Sequence, residues 1–249
     1  MSKVSAIVVG LLLCASVSVP LMAQTAAAQD LTPPVKSSSP GVVSSFALDF
    51  LDDQKAIWTS PFHVTGSDLK WIAPVGVAGG ALFVFDHRIS DAAKANSSLS
   101  GPSNAISNVG LVAPWALPGA MWFFGSVKHN DHEAETGRLG IEAAVDSEVV
   151  MQVLKLATHR MRPNGADTMS FPSGHSMEAF ALASVLSKEY SDKKLVVFGS
   201  YGFATAVGLA RVGSLNHFPS DVLAGAVIGE LIGRYVVNHH GHLTPADPQ

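Results

Sequence analysis

Only one cysteine, Cys14, occurs in the 249 residues. A lone thiol cannot close an internal disulfide, and a cysteine-based metal centre is excluded with it. Charge is scarce as well: Asp, Glu, Lys and Arg make up 14% of the chain, against about 25% in soluble domains. There is no basic excess, because 16 Lys and Arg face 20 Asp and Glu for a net charge of −4. A nucleic-acid binder needs a cationic surface, so nucleic acid is set aside as a partner. The period-two alternation of half-buried strands is also scarce. What the chain does have is apolar sequence, 47% by residue, with a mean hydropathy of +0.28. That length suits one domain with a tail, and the composition rules out disorder over most of it. Its helices either bury one another or meet a membrane.

The two ends differ from the middle. Residues 1–23 read as a secretory signal, with Lys3 as the positive start, an uncharged run from Val4 to Val17, and cleavage after Ala23 or as late as Ala28. The protein is therefore expected to be exported to the periplasm or cell envelope. Residues 29–45 are rich in Pro, Ser and Thr and predict a flexible linker. Residues 46–67 predict a helical extension with Phe46, Phe50, Leu51, Ile57 and Trp58 on its apolar positions. Asp49, Asp52 and Asp53 make that segment unsuited to anionic lipid, so it is expected to pack on the main domain, residues 68–238. Residues 239–249 are polar with two prolines and are expected to form a disordered tail.

Within 68–238, six apolar stretches separated by Gly, Pro, Asn and Ser predict an all-α fold with a six-helix core. They run over Trp71–Phe85, Asn104–Val127, Leu139–Thr158, Ser173–Leu186, Leu195–Arg211 and Asp221–Val237. The first and fifth have uncharged runs of about 15 residues, short of the ~20 that span a bilayer. Pro114 and Pro118 interrupt the second. Glu142, Asp146 and Glu148 charge the third, and Glu230 and Arg234 the sixth. The balance leans slightly toward a soluble or peripheral bundle, with membrane association left open. Trp115, Trp122, Phe123 and Phe124 are accordingly expected in the core rather than in a lipid-facing belt.

Three clusters at helix ends carry chemistry. The first holds Lys155, Arg162 and Pro163; a helix continuing to Arg162 would put both cations on one face. The second, Pro172-Ser173-Gly174-His175, opens the fourth stretch. There free backbone N–H groups and Gly174 would let an anion approach, with Ser173 as a cap or donor and His175 as an acid or base. The third runs from Arg211 through His217 to Asp221. A carboxylate four residues on could hold one ring nitrogen of His217 and leave the other unprotonated. Each cluster alone is an ordinary helix end. Together they offer three cations, one anion-binding helix start and two histidines, which is what metal-free phosphoryl transfer requires.

Lys-x6-Arg-Pro, then Pro-Ser-Gly-His, then Arg-x5-His-x3-Asp resembles the type-2 phosphatidic acid phosphatase and vanadium haloperoxidase superfamily. Ala210 stands where that family usually has a serine, which loses a hydrogen bond but no phosphate ligand. The resemblance implies His217 as the nucleophile that forms a phosphohistidine, Asp221 as its orienting acid, and His175 as acid for the leaving alcohol and then base for water. It implies Lys155, Arg162, Arg211, Ser173 and Gly174 as phosphate ligands, with no metal and no other cofactor. The expected activity is hydrolysis of a phosphate monoester, on either a lipid phosphate or pyrophosphate or a small soluble compound. Competing readings are a vanadium-dependent haloperoxidase, whose members tend to be much longer, and a non-catalytic envelope protein on the same fold. The leaving group and the oligomeric state are not legible.

Other signals are weaker. The loop His129–Glu133 and the tail histidines His239, His240 and His242 have metal-ligand residue types without metal-site spacing. Gly76, Gly79 and Gly80 lack the strand that a dinucleotide-binding loop requires.

Overall fold

The computed structural model describes residues 42–241. The expected signal, its cleavage site, Cys14, most of the linker and residues 242–249 lie outside them. Seven α-helices follow one another: α1 Val42–Thr59, α2 Leu69–Ala95, α3 Ser100–Lys128, α4 Asp131–Thr158, α5 Gly174–Glu189, α6 Lys194–Gly213 and α7 Pro219–His240. No strand occurs among the described residues.

Helices α2–α7 are the six expected stretches, but most extend beyond them. Charged and small polar residues at helix ends lower hydropathy without breaking the i→i−4 hydrogen bonds, so an apolar count stops too early. α2 runs past Phe85 through Arg88, Asp91 and Lys94. α4 starts at Asp131, where the Asn130 side chain accepts from the Glu133 amide at 3.2 Å. Pro114 and Pro118, expected to interrupt α3, lie inside one continuous helix of 29 residues. Both prolines are buried, and a Cβ at Gly140 of α4 would lie 2.6 Å from Cβ of Pro118. A ring seated against a neighbouring helix offsets the backbone bond it removes.

Both expected end segments need correction. Residues 42–45, the last of the expected linker, are helical as the start of α1. His239 and His240, assigned to the disordered tail, close α7, and His240 Nε2 lies 2.6 Å from Asp53 Oδ1 of α1. Asp53 of α1 turns inward and is fully buried, whereas Asp52 stays exposed, and Gln54 donates to Asp146 of α4 at 2.9 Å. Glu142 of α4 is paired with Arg138 at 2.7 Å. Such pairing is what permits buried charge.

The core centres on α5. Met177, Ala181 and Val185 pack with Leu139, Ala143, Val150 and Met151 of α4 and Ile232 and Val236 of α7, and Ile57 of α1 leans on the same cluster. α7 approaches α5 backbone to backbone through Gly225, Gly229 and Gly233, spaced four apart on one face. A Cβ on any of the three would collide with a carbonyl oxygen of α5 or its cap: Ser173, Met177 and Ala181 respectively. This close approach sets the ends of the two helices side by side.

The outer helices overturn the lean toward a soluble bundle. α2, α3 and α6 are each long and apolar enough to cross a membrane, and only 6% of the most apolar window of α2 is buried. Phe123 and Phe124 are more than half or half exposed, at 63% and 50%, and Trp122 is exposed too. These rings face outward, against the expectation that they fill the core. Run length misled for α2 and α6 because it stopped at the first charge, and the two prolines misled for α3, whereas the helices run to 27, 20 and 29 residues respectively.

Gly229→Ala is expected to lower stability in detergent by more than about 2 kcal/mol, since an overpacked core must shift backbone. Gly199→Ala, at a position with open space around it, should change the thermal midpoint little. Equal midpoints for the two variants would contradict the glycine-mediated contact.

Candidate active site

All three clusters meet at one end of the bundle, where α4 and α6 end and α5 and α7 begin. α4 stops at Thr158, because His159 takes a left-handed conformation (φ 46°) and its amide caps Lys155 O at 3.1 Å. Lys155 is therefore on the helix, but Arg162 is not. The expectation of one shared helical face is corrected: Arg162 sits in the loop that follows. That loop is held by Ser170 N→Arg160 O at 2.9 Å and Arg162 N→Asp167 O at 3.0 Å, and tied to the third cluster by Asn164 N→Leu215 O at 3.1 Å. The Arg162 side chain donates to Asp167 Oδ1 at 2.7 Å and to Asn216 Oδ1 at 3.4 Å.

Ser173 occupies the N-cap of α5 without capping it. Its side chain makes no cap bond, is fully buried, and its Oγ has no partner. Its amide donates to the Asp221 carbonyl at 3.0 Å, which joins the second cluster to the third. A side chain at Gly174 would press on Met151, at 3.2 Å. Arg211, in the last turn of α6, is buried, and its Nε also lacks a partner. Buried donors are normally bonded. Two orphans beside the same histidines mark a place for an oxygen-rich anion.

His217 is 1% exposed. Its Nδ1 lies 2.6 Å from the Ser170 carbonyl oxygen, which can only accept, so Nδ1 carries the hydrogen and Nε2 keeps its lone pair. Asp221 does not hold the imidazole itself, as the sequence spacing suggested. Its carboxylate accepts from Ser170 Oγ at 2.5 Å, Phe218 N at 2.9 Å and Arg160 Nη1 at 2.5 Å. It reaches His217 through Ser170. The reason is helical: as the third residue of α7, Asp221 turns back on the N-terminal amides and away from the loop ring.

The local field is strongly positive. Burial, then Arg211, Lys155 and Arg162, push His175 down to about 3. Burial, Arg211 and Arg162 push His217 well below the usual histidine range against the Ser170 carbonyl, which pulls it up. Burial and Arg162 lower the Lys155 ammonium. Burial raises the Asp221 carboxyl, opposed by Ser170, Phe218 and Arg160. The three cations and both histidines are thus brought into one electrostatic unit.

Sequence reasoning passed over four residues here. Arg160 lies between Lys155 and Arg162 and pairs with both Asp221 and Asp86. Ser170 carries the His217 contact, and Ser220 bonds Asp86 through its amide at 3.0 Å. The arginine and serines were visible beside the motifs; Asp86, on α2, had no signal at all. His240, set aside in the sequence, brings a ligand-type atom within 4.8 Å of those of Asp49 and Glu142 at the far end of the bundle.

Cations and unpartnered buried donors gathered around an unprotonated imidazole nitrogen are chemically suited to holding an oxyanion. Residues 139–244 match the PAP2 superfamily, a stretch that includes every cluster described above. The chain is 30% identical over 132 residues to a lipid A 1-phosphatase of Porphyromonas gingivalis, across 51% of this chain and 29% of that protein's length. It therefore spans less than a third of that relative. It is 28% identical over 149 residues to the undecaprenyl-diphosphatase BcrC of Bacillus subtilis, across 55% of this chain and 73% of the relative. A transmembrane PAP2-type phosphatidylglycerolphosphate phosphatase from Bacillus subtilis shares the architecture at a TM-score of 0.55 and 26% identity, over 82% of this chain and 98% of that one.

The pocket histidines also set how stability depends on pH. Folding holds His175 at about 3, whereas an unfolded histidine titrates near 6.5. The unfolded chain takes up the proton first, so the contribution is complete above about 6.5 and is lost as pH falls from there toward 3. Between pH 7 and pH 5 that loss is about 2 kcal/mol for such a histidine. His175→Gln should flatten this slope in anion-free buffer, as read from unfolding midpoints at the two pH values.

Proposed function

We propose that the chain is a membrane-associated phosphoric ester hydrolase that removes phosphate from a lipid phosphate or pyrophosphate through a phosphohistidine. The observation that carries this reading is the pair of buried, unpartnered donors, Ser173 Oγ and Arg211 Nε, beside a histidine whose Nε2 is free. The outward apolar faces of α2, α3 and α6 favour a lipid over a small soluble ester.

In the first step the Nε2 lone pair of His217 attacks phosphorus and the P–O bond to the leaving group breaks. The departing oxygen takes a proton from His175 and leaves as an alcohol or a lipid phosphate. Lys155, Arg162, Arg211, Ser173 and the amide of Gly174 hold the equatorial oxygens as charge moves across them. In the second step His175 takes a proton from water, the oxygen attacks phosphorus, and the N–P bond breaks to release phosphate. Every group in this sequence is organic. A ring of cations repels a metal ion and suits an anion.

Burial and the same cations keep His175 neutral on its own, so its proton must arrive with the anion. A phosphate monoester loses its second proton at about 6. kcat/KM should therefore fall as pH rises above that value, and a profile rising through pH 8 would refute this proton route. Phosphate release from phosphatidate micelles and from a soluble aryl phosphate, measured with chelator present, tests the reading as a whole. Release should persist with chelator, favour the lipid, and drop by about 1000-fold or more in His217→Ala. Release that survives the substitution would remove the phosphohistidine.

Sidedness follows from charge. The end opposite the site exposes Lys70, Lys128, Lys188, Lys193, Lys194 and Arg234, whereas exposed Arg88 and Lys94 are the cations at the site end that lie outside the pocket clusters. Positive loops stay in the cytoplasm, which puts the site on the outer face and α1 inside. A cleaved export signal at residues 1–23 would instead carry α1 outward, so the two readings exclude each other. A reporter enzyme active only outside the cytoplasm, fused after Gln249, should be silent.

A further inference from the structure

Asp86 is fully buried in α2, 53 residues before the stretch that matches the PAP2 superfamily, which begins at residue 139. Nothing in the six-helix packing requires a carboxylate there, and an isolated buried charge is strongly unfavourable. Its partners are all at the catalytic end. Asp86 Oδ2 accepts from Arg160 Nη2 at 2.6 Å and from the Ser220 hydroxyl, and Oδ1 accepts from the Ser220 amide at 3.0 Å. Arg160 spends its other arm on Asp221 Oδ1, at 2.5 Å, and on Ser220 Oγ, at 2.8 Å. The guanidinium lies over the rings of Phe218 and Phe83, at 4.3 and 4.9 Å from their centroids. One cation thus bridges two buried carboxylates on different helices, with its plane fixed by aromatic faces.

The chain of contacts continues to the histidine. Asp221 Oδ2 holds Ser170 Oγ at 2.5 Å, the Ser170 amide donates to Arg160 O at 2.9 Å, and the Ser170 carbonyl receives Nδ1 of His217 at 2.6 Å. The Asp221 carbonyl also fixes the Ser173 amide, at 3.0 Å. We infer that Asp86 is a positioning residue for the reaction, acting through Arg160 on Asp221 and Ser170 to hold His217 in its Nδ1–H tautomer with Nε2 aimed into the pocket. α2 is then a working part of the site as well as a membrane-facing wall. The inference rests on the role given to His217 under the proposed function.

The substitution to make is Asp86→Asn, which keeps shape and removes the charge, with Asp86→Glu as the conservative variant. Displacing a reacting group by about 1 Å costs on the order of 100-fold in rate. Asp86→Asn should therefore lower kcat 10- to 100-fold per folded molecule, and Asp86→Glu should recover part of it. Binding of inorganic phosphate to the same protein should change less than about threefold, because Lys155, Arg162 and Arg211 are untouched. Asp86→Asn combined with Asp221→Asn should be no slower than Asp221→Asn alone, since both act on one chain of contacts. Nitrogen-15 spectra of histidine-labelled protein give a readout that needs no turnover: the Nδ1–H signal of His217 should shift or broaden in Asp86→Asn. A kcat loss that only tracks the unfolded fraction, or an unaltered His217 signal in well-folded variant, overturns the inference. If the wild type cleaves no ester yet the His217 signal moves, the positioning stands and the proposed activity falls.

Discussion

The contact between α5 and α7 is the constraint on which the site depends. Gly225, Gly229 and Gly233 let the two backbones touch, and the first of them lies against the carbonyl of Ser173. That places the start of α5, with Ser173 and His175, beside the start of α7, with Asp221 and the His217 loop before it. Side chains interposed between the helices would separate His217 from His175 by several ångströms. The geometry of the site is therefore a consequence of three missing methyl groups in the core.

Two kinds of buried charge occupy the two ends of the bundle. At the site end, cations outnumber their partners, which leaves Arg211 Nε and Ser173 Oγ without hydrogen bonds and both histidines neutral. That end is built to be completed by an anion. At the far end, carboxylates from α1 and α4 meet Arg138, Gln54 and His240, and the N-terminal helix is tied to the core by those contacts. Helices carrying such charges looked unfit for an apolar setting, yet they form the centre of the bundle, shielded by the apolar α2, α3 and α6. Buried charge at the two ends of the central helices and an apolar outer wall are complementary parts of one arrangement.

The relatives are named for different lipid phosphates. In this chain the three clusters supply cations and donors suited to the phosphate alone, and a second layer lies on α2 and on the loop after α4. Arg160 and Asp86 belong to that layer. Arg160 pairs with Asp221 of α7 and with Asp86 of α2, which ties the start of α7 to a helix outside the residues that match the PAP2 superfamily.

The sequence by itself determined the helical class, the six core segments and the residues of the three clusters, because helical periodicity and short motif spacing are local properties of a chain. It missed the true helix lengths, since a charge ends an apolar run but not a hydrogen-bonded helix. It misjudged Trp122, Phe123 and Phe124, because a helix that is apolar all round gives no sign of which face is covered. Only the tertiary structure decided that Arg162 sits in a loop, that Asp221 reaches His217 through Ser170, and that Asp86 joins the site across the bundle. Those are contacts between segments far apart in the chain, and they exist only once backbone packing has brought the helix ends together.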